Sequence, residues 1–139
     1  MHIEFTSHDD LPVPKTVHQR LLDHAQLAHP HECCGLLLGA AGRITIAQEC
    51  ANVHKSPRSH FEIDPRALIN AYRAERDGGP KIIGYYHSHP VGAPFPSQTD
   101  RAMAAGDGKI WAIVGEDKVL FWRDGGSRFE PLSYQVVER

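Results

Sequence analysis

At 139 residues, with 41% hydrophobic and 23% charged side chains, the chain can bury one core and is too apolar for disorder. Its formal charge of -2, with mixed signs along the chain, provides no field for a polyanion and excludes nucleic acid as a natural partner. No apolar run approaches the ~20 residues of a membrane span, and Met1-His-Ile-Glu-Phe lacks the regions of a signal peptide, so one cytoplasmic domain over 1–139 is expected.

Ile3 to Thr6 reads as a short edge strand. Val17, Leu21, Leu22, Ala25 and Ala28 then recur at helical spacing, with His18 and His24 off the stripe and expected in solvent, until Pro30 stops the helix. His31 to Gly39 is an apolar run with one acid, Glu32, at its entrance. It reads as a strand buried on both faces. Ala40 to Gly42 is a turn, and Arg43 to Cys50 alternates like the second strand of a hairpin. Three cysteines are present, an odd count that suits free thiols in a reducing compartment.

Ala51 to His60 is a polar loop that borders a cleft. Asp64-Pro65 opens a helix through Leu68, Ala71 and Tyr72, which ends at Gly78-Gly79-Pro80. Lys81 to Tyr86 is β-branched and aromatic, so His87 and His89 close a strand and point to the same face. Pro90 ends it, a stiff Pro-rich loop follows, and Ser97-Gln-Thr-Asp100 starts a short helix to about Ala105. Lys109 to Val114, Lys118 to Trp122 and Arg128 to Val137 read as three closing strands, with Trp111 and Trp122 in the core. The whole predicts an α/β fold, a mixed and mostly antiparallel sheet flanked by helices.

Two imidazoles on one face and a carboxylate at Asp100 form the three-ligand set that suits Zn²⁺ with a fourth position left for water. The plainer alternative is that His87 and His89 bond to backbone while Ser97 and Asp100 only cap a helix. A hydrolytic zinc site also needs a proton shuttle. Glu32 is the acid placed at the edge of a buried strand, so it is the candidate general base unless it is merely a charged strand cap.

The combination resembles the JAMM/MPN+ metalloprotease family. Glu32-Cys33-Cys34-Gly35-Leu36-Leu37-Leu38-Gly39 is similar to the first family element, and His87-Ser88-His89-Pro90 through Ser97-Gln98-Thr99-Asp100 to the second. Phe61 to Pro65 and Ile82 to Tyr86 are similar to the bacterial single-domain members. The resemblance implies a cytidine-deaminase-like MPN/JAMM domain in which His87, His89 and Asp100 hold zinc. It also implies Glu32 as general base and Ser97 as hydrogen-bond donor to the oxyanion, while strand alternation turns Ser88 away from its histidine neighbours, where it packs or supports the ligands rather than reacts.

The implied substrate is an amide bond after the Gly-Gly tail of a ubiquitin-like sulfur-carrier protein, and a homodimer is left open. A non-catalytic MPN-type module that recruits a ubiquitin-like partner is the alternative. A cysteine hydrolase built on Cys33 or Cys34 ranks lower, since buried thiols are usually inert. A zinc nucleoside deaminase lacks its Pro-Cys-x-x-Cys ligand pair here.

Overall fold

The computed structural model describes residues 10–138. Its elements are β1 (Leu11–Pro14), α1 (Lys15–Ala28), β2 (Cys34–Ala40), β3 (Arg43–Cys50), α2 (Pro65–Arg76), β4 (Lys81–Ser88) and α3 (Gln98–Met103). Four strands close the chain: β5 (Ile110–Gly115), β6 (Lys118–Asp124), β7 (Phe129–Leu132) and β8 (Tyr134–Val137). The main sheet has six strands in the order β3-β2-β4-β5-β6-β7. Every neighbouring pair in it is antiparallel except β4 and β5. That pair is joined through the Pro-rich loop and α3, since parallel neighbours need a crossover.

Alternation along the strands divides the core. One face carries Cys33, Leu37, Tyr86, Ala112, Val114 and Phe121 and is covered by Val17 and Leu21 of α1. The other carries Leu36, Leu38 and Ile82 under Ala71 of α2, and beside them Cys34, Phe61, Trp111, Ile113 and Trp122. Gly35 sits between the layers because any side chain there would collide with the Tyr86 ring and the Gln48 carbonyl.

The hairpin of β2 and β3 and the start of α2 fall where the sequence places them. At α2, the Asp64 carboxylate accepts from Arg66 N at 3.0 Å, with Pro65 at the first helical position. Two expectations change, and a third falls on residues that are not described. The predicted strand Ile3 to Thr6 lies outside the described residues. The first described strand is β1, which runs through Pro12 and Pro14 and pairs in parallel with β8. The predicted single strand Arg128 to Val137 breaks at Ser133, whose carbonyl accepts from Leu11 N at 2.9 Å, so its second half leaves the main sheet for β1. His24 is half-buried rather than solvated, with Nδ1 2.7 Å from the Tyr86 hydroxyl, and burial lowers its pKa.

Candidate metal centre

The site forms at the C-terminal end of β4, on the face opposite α1. His87 is the penultimate residue of β4 and fully buried, and Ser88 points the other way, its Oγ accepting from Cys33 N at 2.8 Å. His89 follows the strand and remains tied to the sheet by its N–H to Val114 O at 2.7 Å. The Pro-rich loop is pinned by Trp122 Nε1, which donates to Pro94 O at 3.2 Å, and by His89 Nδ1, 2.8 Å from Ala93 O. A carbonyl only accepts, so Nδ1 of His89 carries a proton, and in the neutral ring Nε2 is the lone pair that a metal would take.

Asp100 arrives from the third position of α3. Its side chain accepts from Ser97 N at 3.0 Å while Ser97 Oγ accepts from Asp100 N at 3.0 Å, a reciprocal capping box. The plain capping alternative is thus realised, and the same carboxylate does more. Its Oδ1 lies 3.0 Å from His87 Nε2 and its Oδ2 3.1 Å from His89 Nε2, with the two nitrogens 3.3 Å apart. Tetrahedral bonds of the usual ~2.0–2.1 Å to zinc would set ligand atoms about 3.3 Å from one another, which is the spacing of the two imidazole nitrogens, and a carboxylate oxygen lies at a similar distance from each. Two imidazoles and a carboxylate meeting at one point need a proton or a cation between them, and the donor set fits a divalent ion. These three residues are the one potential metal-ligating group among the described residues.

Glu32 precedes β2. The pairing of Cys34 with His87, continued by Ser88 N to Cys33 O at 3.1 Å, places Glu32 opposite His89 and on the same face as both imidazoles. Its backbone is held on both sides: Glu32 N donates to Pro57 O at 2.7 Å, and Asn52 Nδ2 donates to Glu32 O at 3.0 Å. Asn52 also donates to His60 O at 3.0 Å and accepts at Oδ1 from His54 N and Glu62 N at 3.0 and 3.1 Å. The polar loop is therefore a knot around one amide, a role the sequence reading missed because nothing local marks which asparagine has a long-range partner.

Protonation follows burial and partners. Glu32 is buried, which is the main reason its carboxyl is pushed up to about 7; His89 pulls it down and Asp100 raises it further. Burial lowers His87 and outweighs the pull of Asp100. Burial would lower His89 too, but its bonds to Asp100 and the Ala93 carbonyl raise it on balance. Burial works against ionised Asp100, yet the two imidazoles hold it well below the usual carboxylate range. Both thiols are buried, which pushes Cys33 up to about 11 and Cys34 up to about 12 and disfavours the thiolate that a cysteine hydrolase needs.

Two rings read only as core or as a spacer also reach the centre. Phe61 stacks on His87 with centroids 4.4 Å apart, and Trp111 stands edge-on to it at 5.7 Å. His29 and His31 are exposed; His29 lines a groove of about 490 Å³ that runs between α1 and the β5–β6 turn past His89.

Comparison with known proteins bears on this geometry. Residues 14–125 match the family model described as prokaryotic homologs of the JAB domain. The desampylase of Haloferax volcanii is 36% identical over 110 residues, covering 77% of this chain and 79% of its own length. The probable TtuB-protein conjugate cleaving protease of Thermus thermophilus is 35% identical over 121 residues, 86% of this chain and 74% of its own. The structure of AF2198, a JAB1/MPN domain protein from Archaeoglobus fulgidus, superposes with a TM-score of 0.62 at 22% identity over 93% of this chain and 98% of that one. A mostly antiparallel sheet with helices on both faces, a His-His-Asp group at one strand end, the family match over residues 14–125 and relatives named as a desampylase and a probable conjugate-cleaving protease converge, and the chain belongs to the prokaryotic JAB-domain family of JAMM peptidases.

Proposed function

We propose that the protein is a zinc peptidase that cleaves the amide bond after the Gly-Gly tail of a ubiquitin-like sulfur-carrier protein. It would release an amino acid such as cysteine, a C-terminal extension or a conjugated protein. The observation that carries the reading is the convergence of His87 Nε2, His89 Nε2 and the Asp100 carboxylate within 3.0–3.3 Å, with Glu32 opposite His89 in the strand register.

His87, His89 and Asp100 hold the zinc, which when bound acidifies a water toward a pKa of ~7 and polarises a carbonyl. Glu32 takes the proton of the attacking water and passes it to the leaving amine. Burial raises the affinity of this carboxylate for a proton, which suits it to act as a base toward the water and then as an acid toward the amine. Ser97 donates a hydrogen bond to the developing oxyanion, worth ~3 kcal/mol in comparable sites. Capping and catalysis are compatible at this residue: Ser97 Oγ uses a lone pair to accept from Asp100 N, and its proton stays free to donate.

An extended tail suits the site because glycine lets a backbone approach buried side chains closely. Val91 and Phe95, both exposed on the loop between His89 and Asp100, offer the carrier an apolar contact. The test is to incubate the protein with a carrier extended beyond Gly-Gly and weigh the product. Loss of the extension with zinc, and its retention after chelation or in Glu32→Gln, is expected; an unchanged mass with zinc present overturns the reading.

A further inference from the structure

A histidine that binds metal through Nε2 carries its proton on Nδ1 and ordinarily donates it to a carboxylate, carbonyl or water that orients the ring. His89 obeys this through Ala93 O. His87 does not: its Nδ1 is buried with no hydrogen-bond partner among the described residues. Aromatic rings surround it instead. Phe61 lies over the imidazole face at a centroid distance of 4.4 Å and 17° between planes, and Trp111 packs perpendicular to it at 5.7 Å and 89°. The two walls brace each other at 6.1 Å and 75°, and Phe129 backs Trp111 at 4.9 Å.

We propose that Phe61 and Trp111 are positioning residues of the metal centre, an aromatic clamp that fixes the plane of the His87 ring in place of a hydrogen bond. The inference rests on the reading of His87 as a metal ligand. Turning the imidazole about its Cβ–Cγ bond would drive a ring edge into Phe61, so stacking sets the plane. Asp100 Oδ1, 3.0 Å from Nε2, selects the edge that faces inward.

Both walls are themselves held. Trp111 is part of the central strand β5. Phe61 begins the segment that Asn52 organises, with Glu62 N on Asn52 Oδ1 at 3.1 Å and Val53 N on Glu62 O at 2.9 Å. One asparagine thus connects the backbone of Glu32 to the ring that steadies His87. On their outer side the two rings line an apolar groove of about 330 Å³ with Ile63, Leu68, Tyr85 and Met103.

Phe61→Leu keeps apolar bulk and removes the flat face. Zinc affinity measured by chelator competition is expected to fall about tenfold or more, and the visible absorption of the Co²⁺-substituted protein is expected to change. Phe61→Tyr, which keeps the ring, should restore both. Phe121→Leu, equally buried on the α1 face, should lower the melting temperature and move neither readout. Should Phe61→Leu not fold, Trp111→Leu carries the same two measurements. Wild-type affinity and spectrum in the leucine variant, or an equal loss in Phe121→Leu, overturns the clamp. Failure of the unaltered protein to bind zinc overturns the metal reading itself.

Discussion

The two faces of the central sheet are built from the same strands and have opposite characters. On the α1 face, β4 contributes Tyr86 and Ser88, and both find partners: the Tyr86 hydroxyl meets His24 and the Ser88 hydroxyl accepts from Cys33 N. One residue away on the other face, His87 and His89 converge with Asp100, and Glu32 stands opposite His89. The buried side-chain atoms lacking a hydrogen bond among the described residues, His87 Nδ1 and Trp111 Nε1, both belong to that second face. Period-two alternation allows one strand to supply stability on one side and poorly satisfied, reactive chemistry on the other. Substitutions should therefore separate the two properties by face.

The largest separation is expected at Glu32. Glu32→Gln keeps the shape of the side chain and removes its ability to move a proton, so kcat should fall about 10²–10⁴-fold, the usual worth of a general base. Stoichiometric zinc should remain, because the ligands are elsewhere. Single-turnover kinetics with metal analysis checks both, and loss of zinc together with activity would mean that Glu32 serves the metal rather than the proton.

On the other face, Leu37→Ala empties a fully buried position under α1. It should cost about 3 kcal/mol, or roughly 10 °C in melting temperature for a domain of this size. Zinc affinity of the folded fraction should be unchanged. A shift in that affinity would show that the two faces are not independent.

Much of this division is legible in the sequence, and the parts that are not have a common cause. The β2–β3 hairpin, the Asp64-Pro65 helix start and the strand ending in His87 rest on signals contained within a few residues. The opposition of Glu32 and His89 depends on the register between β2 and β4, which no local pattern sets. The same holds for Phe61 on His87, Ala93 O on His89 and the four bonds of Asn52. The run Arg128 to Val137 has continuous strand character, yet Ser133 gives its carbonyl to Leu11 and the second half changes sheets, because a long-range partner outweighs local propensity. His24 falls off the apolar stripe of α1 and reads as a solvent residue, but the stripe does not reveal a tyrosine hydroxyl on the next layer.

A smaller effect concerns the cost of the reactive face to the fold. In metal-free protein the Glu32 carboxyl, ordinarily near 4.5, titrates at about 7, mainly through burial. Between those values the folded state holds a proton that the unfolded chain has released, so stability falls as pH rises from 4.5 to 7 and stays lower above it. The loss is at most about 3 kcal/mol. Glu32→Gln cannot ionise, so after chelation it should melt above the unaltered protein at pH 8 and together with it at pH 4. Equal melting temperatures at both values would show that Glu32 is well solvated.

The smallest expected effect tests how the Pro-rich loop joins the faces. Trp122 belongs to β6, and its indole donates to Pro94 O at 3.2 Å while Phe95 packs on its ring at 5.4 Å. Trp122→Phe keeps the packing and deletes the donor, leaving the Pro94 carbonyl short of one partner at a cost of about 1 kcal/mol. That carbonyl adjoins Ala93, whose own carbonyl sets the tautomer of His89. If the loop is a spacer of the metal ligands, the loss should appear as weaker zinc binding, several-fold and below the effect of the Phe61 variant, more than as a lower melting temperature. If it appears only in melting, the loop is structural and His89 keeps its position through Val114 O alone.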